Sequence, residues 1–171
     1  MSSLFPRQGA RATVRAASPS PFDALETCFR LLTDGPAPLA LDGGQVGHGL
    51  PARQVPLVEL RVLLQHPAAT SDLRQAALQE LVRLAIHNRG KWTLGLAGVL
   101  LPGFRHIAAS VAAVDRRAAG QVQADLLEHF RNAVNQPGPG VVEFFVGVLE
   151  SARAGQPPAP RPARCRCPLG S

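Results

Sequence analysis

Tyrosine is missing from this 171-residue chain, and tryptophan and methionine occur once each. Aromatic residues make up 5% of the sequence, too few to build the exposed stacking platforms on which single-stranded bases are read. Lysine is nearly missing too: of 18 cations, Lys91 alone is not arginine. The accompanying wealth of Ala, Gly, Pro, Arg and Leu is a bias that a GC-rich coding sequence produces by itself. The pI of about 10.9 is therefore a poor argument for nucleic-acid binding.

Three cysteines cannot carry a disulfide scaffold. Cys28 falls in an apolar helical pattern, where a free thiol is expected to pack as a small core residue. Cys165 and Cys167 form a C-x-C in a proline-rich stretch, with no neighbouring His or Cys to complete the roughly four ligands of a structural metal. Reduced thiols, together with a first 20 residues that lack an apolar h-region, predict a cytoplasmic setting.

Catalytic signatures are missing as well. No G-x-S-x-G, H-E-x-x-H or Walker A pattern occurs. The glycine-rich run Asp42–Gly49 lacks the Lys-Ser/Thr pair that holds a phosphate and its magnesium. His48, His66, His87, His106 and His129 are dispersed, without His-x-x-x-His or Glu-x-x-His spacing. The expectation is a protein that is not an enzyme and takes neither cofactor nor metal.

What is there is a chain whose positive charge sits at its ends. Residues 1–20 carry Arg7, Arg11 and Arg15 and no acid; residues 151–171 carry Arg153, Arg161, Arg164 and Arg166 and no acid. With a total of +6, residues 21–150 sum to −1. That nearly neutral body is banded: −3 over 21–80, +5 over 81–120 and −3 over 121–150. Such a pattern suits a protein-binding domain, or a weak DNA contact, better than a broad phosphate-binding face.

Hydrophobic spacing predicts an all-α fold, a small orthogonal bundle of about six helices over 21–154, between a disordered basic leader (1–20) and a disordered Pro/Arg-rich tail (155–171). Ser20-Pro21 reads as an N-cap with proline in the first turn. Phe22, Leu25, Phe29 and Leu32 then share a helical face. Asp42-Gly43 is a turn signal, so residues 39–46 can form a tiny β-hairpin. Further helices follow over Leu57–Gln65, from Thr70 or Ser71 to about Asn88, over Gln121–Val134 and over Val141–Ala154.

Trp92–Val114 is the one membrane-like span, and Pro102-Gly103 is expected to divide it into two short buried helices rather than let it cross a bilayer. Gly95 and Gly98 lie three apart in its first half, a spacing that admits another helix at close range. In the last helix, Phe144 and Phe145 are both expected in the apolar stripe with Val141, Val148, Leu149 and Ala152.

Arg83, Arg89, Lys91, Arg105, Arg116 and Arg117 make up the basic band and are the candidate nucleic-acid contacts. A plainer account also covers them, since helix C-termini favour cations.

Phe104-Arg105-His106-Ile107-Ala108-Ala109, a connection, and then Ala124-Asp125-Leu126-Leu127-Glu128-His129-Phe130-Arg131-Asn132-Ala133-Val134 resemble region 2 of sigma factors, the helical domain that binds RNA polymerase and melts promoter DNA. Leu39 to Val134, including Leu41-Asp42-Gly43 and Gly47-His48-Gly49-Leu50-Pro51, also resembles an actinobacterial group of sigma-like organisation. The resemblance implies that Asp125, Leu126, Glu128 and Arg131 face the polymerase. It also implies that Val141–Arg153 corresponds to the promoter-contacting helix, which in the family is basic and aromatic. Here that helix carries Glu143 and Glu150 against Arg153 alone. The expected role is thus contact with RNA polymerase or another protein in transcription, with DNA a weak partner and no membrane partner. The alternative is an interaction module with no nucleic-acid role.

Overall fold

The computed structural model describes residues 19–114 and 119–154. Among them the chain forms seven helices and two short strands: α1 (Pro21–Thr33), β1 (Ala40–Asp42), α2 (Gly43–Val46), β2 (Gln54–Pro56), α3 (Leu57–Gln65), α4 (Ser71–His87), α5 (Lys91–Val114), α6 (Ala119–Asn135) and α7 (Val141–Ala154). The fold is mostly helical, as the spacing predicts. The leader before residue 19, the tail after 154, Cys165 and Cys167 lie outside the described residues.

The helix starts follow local chemistry. The Ser20 hydroxyl accepts from the Asp23 amide at 3.2 Å, and Pro21 opens the first turn of α1. Thr70 Oγ1 likewise accepts from the Leu73 amide at 3.2 Å to cap α4. The α1 stripe buries Phe22, Leu25 and Phe29, with Thr33 in place of the half-buried Leu32. Cys28 stands exposed rather than in the core. It precedes Phe29 by one residue, and one residue is about 100° of helical rotation.

The hairpin expected near 39–46 has a strand at the expected place and a different partner. β1 pairs antiparallel with β2, in the register Ala40↔Pro56, Leu41↔Val55 and Asp42↔Gln54. Asp42 does not turn the chain back at once. Its Oδ1 accepts from the amides of Gly44 (3.0 Å) and Gln45 (3.3 Å), starting the single turn of α2. Asp-Gly signals both a turn and a helix cap, and burial decides between them. Leu41 and Val55 are cross-strand partners and both reach the core.

The span 91–114 is one helix, not two. α5 runs through Pro102, and α1, α3, α4, α6 and α7 all pack on it. It is long and apolar enough to cross a membrane by length and composition. Here Gly95 through Leu101, Gly103, Phe104 and Ala108 are buried by the other helices. The Gly95 and Gly98 spacing does admit close neighbours. A Cβ on Gly98 would strike the ring of Phe29, and one on Gly95 would crowd Leu57 and Leu39. Gly103 meets α7 in the same way, against the Val148 carbonyl.

Proline at 102 has no N–H, so the Gly98 carbonyl loses its helical donor. Arg61 on α3 supplies one: its Nη1 lies 3.4 Å from that oxygen. The same guanidinium pairs with Glu26 of α1 at 3.1 Å and lies 5.2 Å from the centre of the Phe29 ring. Arg61 is half-buried, and a second arginine is buried outright, which spacing alone does not announce. Arg74, 3% exposed, donates through Nε to the Leu64 carbonyl at 2.9 Å and through Nη2 to the His66 carbonyl at 3.1 Å. It thereby satisfies the C-terminal end of α3, where carbonyls lack helical partners and favour a cation. Burial pushes its guanidinium below the ordinary arginine range; the nearby Arg153 adds to this and Glu150 opposes it.

An aromatic line crosses the core. Phe22 stacks on Phe104 at 6.4 Å, Phe104 meets Phe130 edge-on at 5.8 Å, and Phe130 meets Phe145 at 5.6 Å. α1, α5, α6 and α7 are joined through these rings, and the line ends at Phe144, 5.5 Å from Phe145. Phe145 is fully buried, whereas Phe144 is 49% exposed and so leaves the stripe expected to hold both.

Candidate functional site

Helix α6 forms because Val122, Phe130 and Val134 recur at multiples of four residues and bury against the core. This orients the rest of the helix. Glu128 and Arg131 stand exposed, their carboxylate and guanidinium 3.9 Å apart. Asp125 is half-buried at the edge, where its Oδ1 accepts from Gln121 Nε2 at 2.8 Å. His129 Nδ1 lies 2.8 Å from the Asp125 carbonyl. Leu126 packs partly against the core.

Beside Glu128 and Arg131 lies a concavity of about 350 Å³, lined also by Ala124 and Leu127. Of the four residues expected to face a partner, the structure thus brings Glu128 and Arg131 together at one dent, while Asp125 does not line it and Leu126 is half-buried against the core. Leu127 is the apolar contributor that sequence reasoning missed. Like Leu126 it is half-buried and packed against the core, and its signal is its place next to Glu128 at the border of the apolar stripe.

Among the described residues of the basic band, two are paired with carboxylates of the same chain and two are not. Arg83 is held by Glu80 through two hydrogen bonds, Nε to Oε2 at 2.7 Å and Nη2 to Oε1 at 2.6 Å. Those bonds and the carboxylate charge raise the Arg83 guanidinium above its ordinary value. Arg105 turns toward α1, 3.6 Å from Asp23 and 3.8 Å from Glu26. Arg89 and Lys91 are exposed on either side of Gly90, whose φ of 76° turns α4 into α5. Arg116 and Arg117 lie outside the described residues.

Other concavities flank the bundle. A groove of about 390 Å³ between α1, α5 and α6 is lined by Phe22, Asp23, Arg105, Ala108 and Gln123 among others. A smaller hollow of about 180 Å³ is lined by His48, Asp72, Gln75, Ala76 and Gln79. His48 has a φ of 52°, between Gly47 and Gly49, which are also left-handed. Among the described residues no three His, Cys, Asp or Glu side chains converge to hold a metal ion. No protein-family model matches the chain, nor does any curated protein or solved structure.

Proposed function

We propose that this chain is a sigma-factor-like helical interaction module that docks helix α6 on RNA polymerase. The observation that carries this reading is the outer face of α6: exposed Glu128 and Arg131 beside a dent lined by Ala124 and Leu127. An apolar dent ringed by charges of both signs is how a protein contact is built, with an apolar centre and a polar rim. A phosphate-binding face would instead gather cations of one sign.

The basic band supports a lesser role for DNA. Arg83 and Arg105, though exposed, are engaged by carboxylates of their own chain, leaving Arg89 and Lys91 as the exposed cations of the band without an ion pair among the described residues. DNA contact is then weak and strongly salt-dependent. The mixed charge of α6 equally favours a partner other than polymerase, with no nucleic acid involved.

Retention of the purified chain on core RNA polymerase tests the reading. Wild type is expected to be retained, and Glu128→Lys and the pair Asp125→Ala with Glu128→Ala to be retained poorly, with helical content unchanged. Failure of wild type to bind, or undiminished binding of the variants, removes the polymerase assignment. If the basic band is the real contact, binding to duplex DNA will survive loss of residues 1–20 and 155–171.

A further inference from the structure

A second surface lies where α6 gives way to α7, and it stands apart from the outer face of α6. Both helices pack on α5, and the turn between them, closed by Gly140 at a φ of 91°, leaves a notch of about 250 Å³. Its walls are mostly apolar: Ala133, Pro139, Val141 and Phe144. Phe144 is the outer end of the aromatic line and 49% exposed, although a ring of that size is ordinarily buried where the core has room for it.

One carboxylate borders the notch: Glu143 Oε2 lies 4.0 Å from where a Cβ on Gly140 would stand. Among the described residues no cation lines it, and the last turn of α6, whose carbonyls carry partial negative charge, holds no basic residue. Arg131, the nearest cation along α6, is turned to Glu128. Glu143 adjoins Phe144 and is exposed.

We infer that this notch is a docking site for a segment of a partner protein that inserts one large aliphatic side chain between Val141 and Phe144 and flanks it with Lys or Arg. The apolar walls select the inserted group. Glu143 and the carbonyl end of α6 select the flanking cations and disfavour acidic segments and nucleic acid. A single apolar anchor set among basic neighbours is the smallest ligand that satisfies both features.

The test uses the full ¹⁵N-labelled chain and the hexapeptide Arg-Arg-Leu-Leu-Arg-Arg, acetylated and amidated, titrated to millimolar concentration. Saturable amide shifts are expected at Ala133, Gly138, Gly140, Val141 and Phe144. They should vanish with a peptide carrying Ala for both Leu and weaken several-fold with one carrying Glu for every Arg. Glu143→Lys, which alters charge at an exposed position, should weaken the basic peptide several-fold and the acidic one not at all. Phe144→Ser should abolish the shifts while the far-ultraviolet spectrum keeps its helical form. Absence of saturable shifts with the basic peptide, shifts centred elsewhere, or equal binding of basic and acidic peptides would each overturn the assignment.

Discussion

Arg61 donates to the Gly98 carbonyl at 3.4 Å, the one oxygen in α5 that Pro102 deprives of its helical hydrogen bond. Neither residue explains the other locally, since they are 37 positions apart. Together they let a proline sit in the interior of the central helix. Arg61→Ala removes this bond, the Glu26 ion pair and the contact with the Phe29 ring. It should cost about 1–3 kcal/mol, the range for a partly buried charged hydrogen bond lost with its neighbours. In a Pro102→Ala background the Gly98 carbonyl regains a backbone donor, so the same substitution should cost less. Urea denaturation of the two single variants and the double variant measures the coupling, expected at about 0.5 kcal/mol or more. Strict additivity would show that Arg61 does not serve that carbonyl.

This pair also marks where the sequence stops being legible. Ser20-Pro21 and Thr70 announce their helices because a cap is made within three residues. The burial of Phe22, Leu25 and Phe29 follows from spacing alone. Pro102 reads as a break because its remedy comes from another helix. Asp42-Gly43 reads as a hairpin turn because the partner strand, Gln54–Pro56, is chosen by burial of Val55 and not by the turn. Arg74 reads as a surface cation until Leu64 and His66 present their carbonyls. In α7, apolar residues at Val141, Val142, Phe144, Phe145, Val146, Val148 and Leu149 cover most of the helix, so pattern alone does not say that Phe145 turns in and Phe144 out. At the candidate site, the exposure of Glu128 and Arg131 was legible from the amphipathic period. The concavity beside them was not, because spacing assigns the face of α6 but not how the side chains of Ala124, Leu127, Glu128 and Arg131 come to rest along it.

Gly98 and Gly147 offer one substitution with opposite signs. Alanine is favoured over glycine in a helix by about 0.8–1.0 kcal/mol. At Gly147, on the exposed side of α7 with open space around it, Gly147→Ala should recover up to about that amount. At Gly98 the new methyl group meets the Phe29 ring, and overpacking of about 1–3 kcal/mol should outweigh the propensity gain. Thermal melts of the two variants should move in opposite directions. A trimmed partner, Phe29→Leu, should narrow the loss at Gly98. A stabilised Gly98→Ala protein would mean that α1 and α5 are not in such close contact.

Arg74 should resist conservative replacement. Its planar fork reaches two carbonyls of the α3 end at once, which a lysine ammonium reproduces poorly. Arg74→Lys should therefore lose about 1–2 kcal/mol and Arg74→Ala about 2–3 kcal/mol, since truncation also leaves buried carbonyls without donors. Chemical denaturation gives both values. The loss should fall on stability and leave retention on polymerase unchanged at temperatures where the fold persists. A Lys variant as stable as wild type would show that one point charge at the end of α3 suffices.

The last prediction separates the exposed cations at the α4–α5 turn from the α6 face. Arg89→Glu with Lys91→Glu reverses two exposed charges. Each phosphate contact on duplex DNA contributes about −0.9 to the slope of log affinity against log salt. If these two side chains are the band's phosphate contacts, the variant should lose about 2 from the magnitude of that slope in fluorescence anisotropy, by the same per-phosphate value. Polymerase retention should stay as in wild type, because Glu128, Arg131 and Leu127 are untouched. A change in slope near about 5 or 6 would require a phosphate-binding face much larger than two cations can make, on that same scale. Loss of polymerase retention in this variant, with α6 intact, would move the protein contact from α6 to the turn between Arg89 and Lys91.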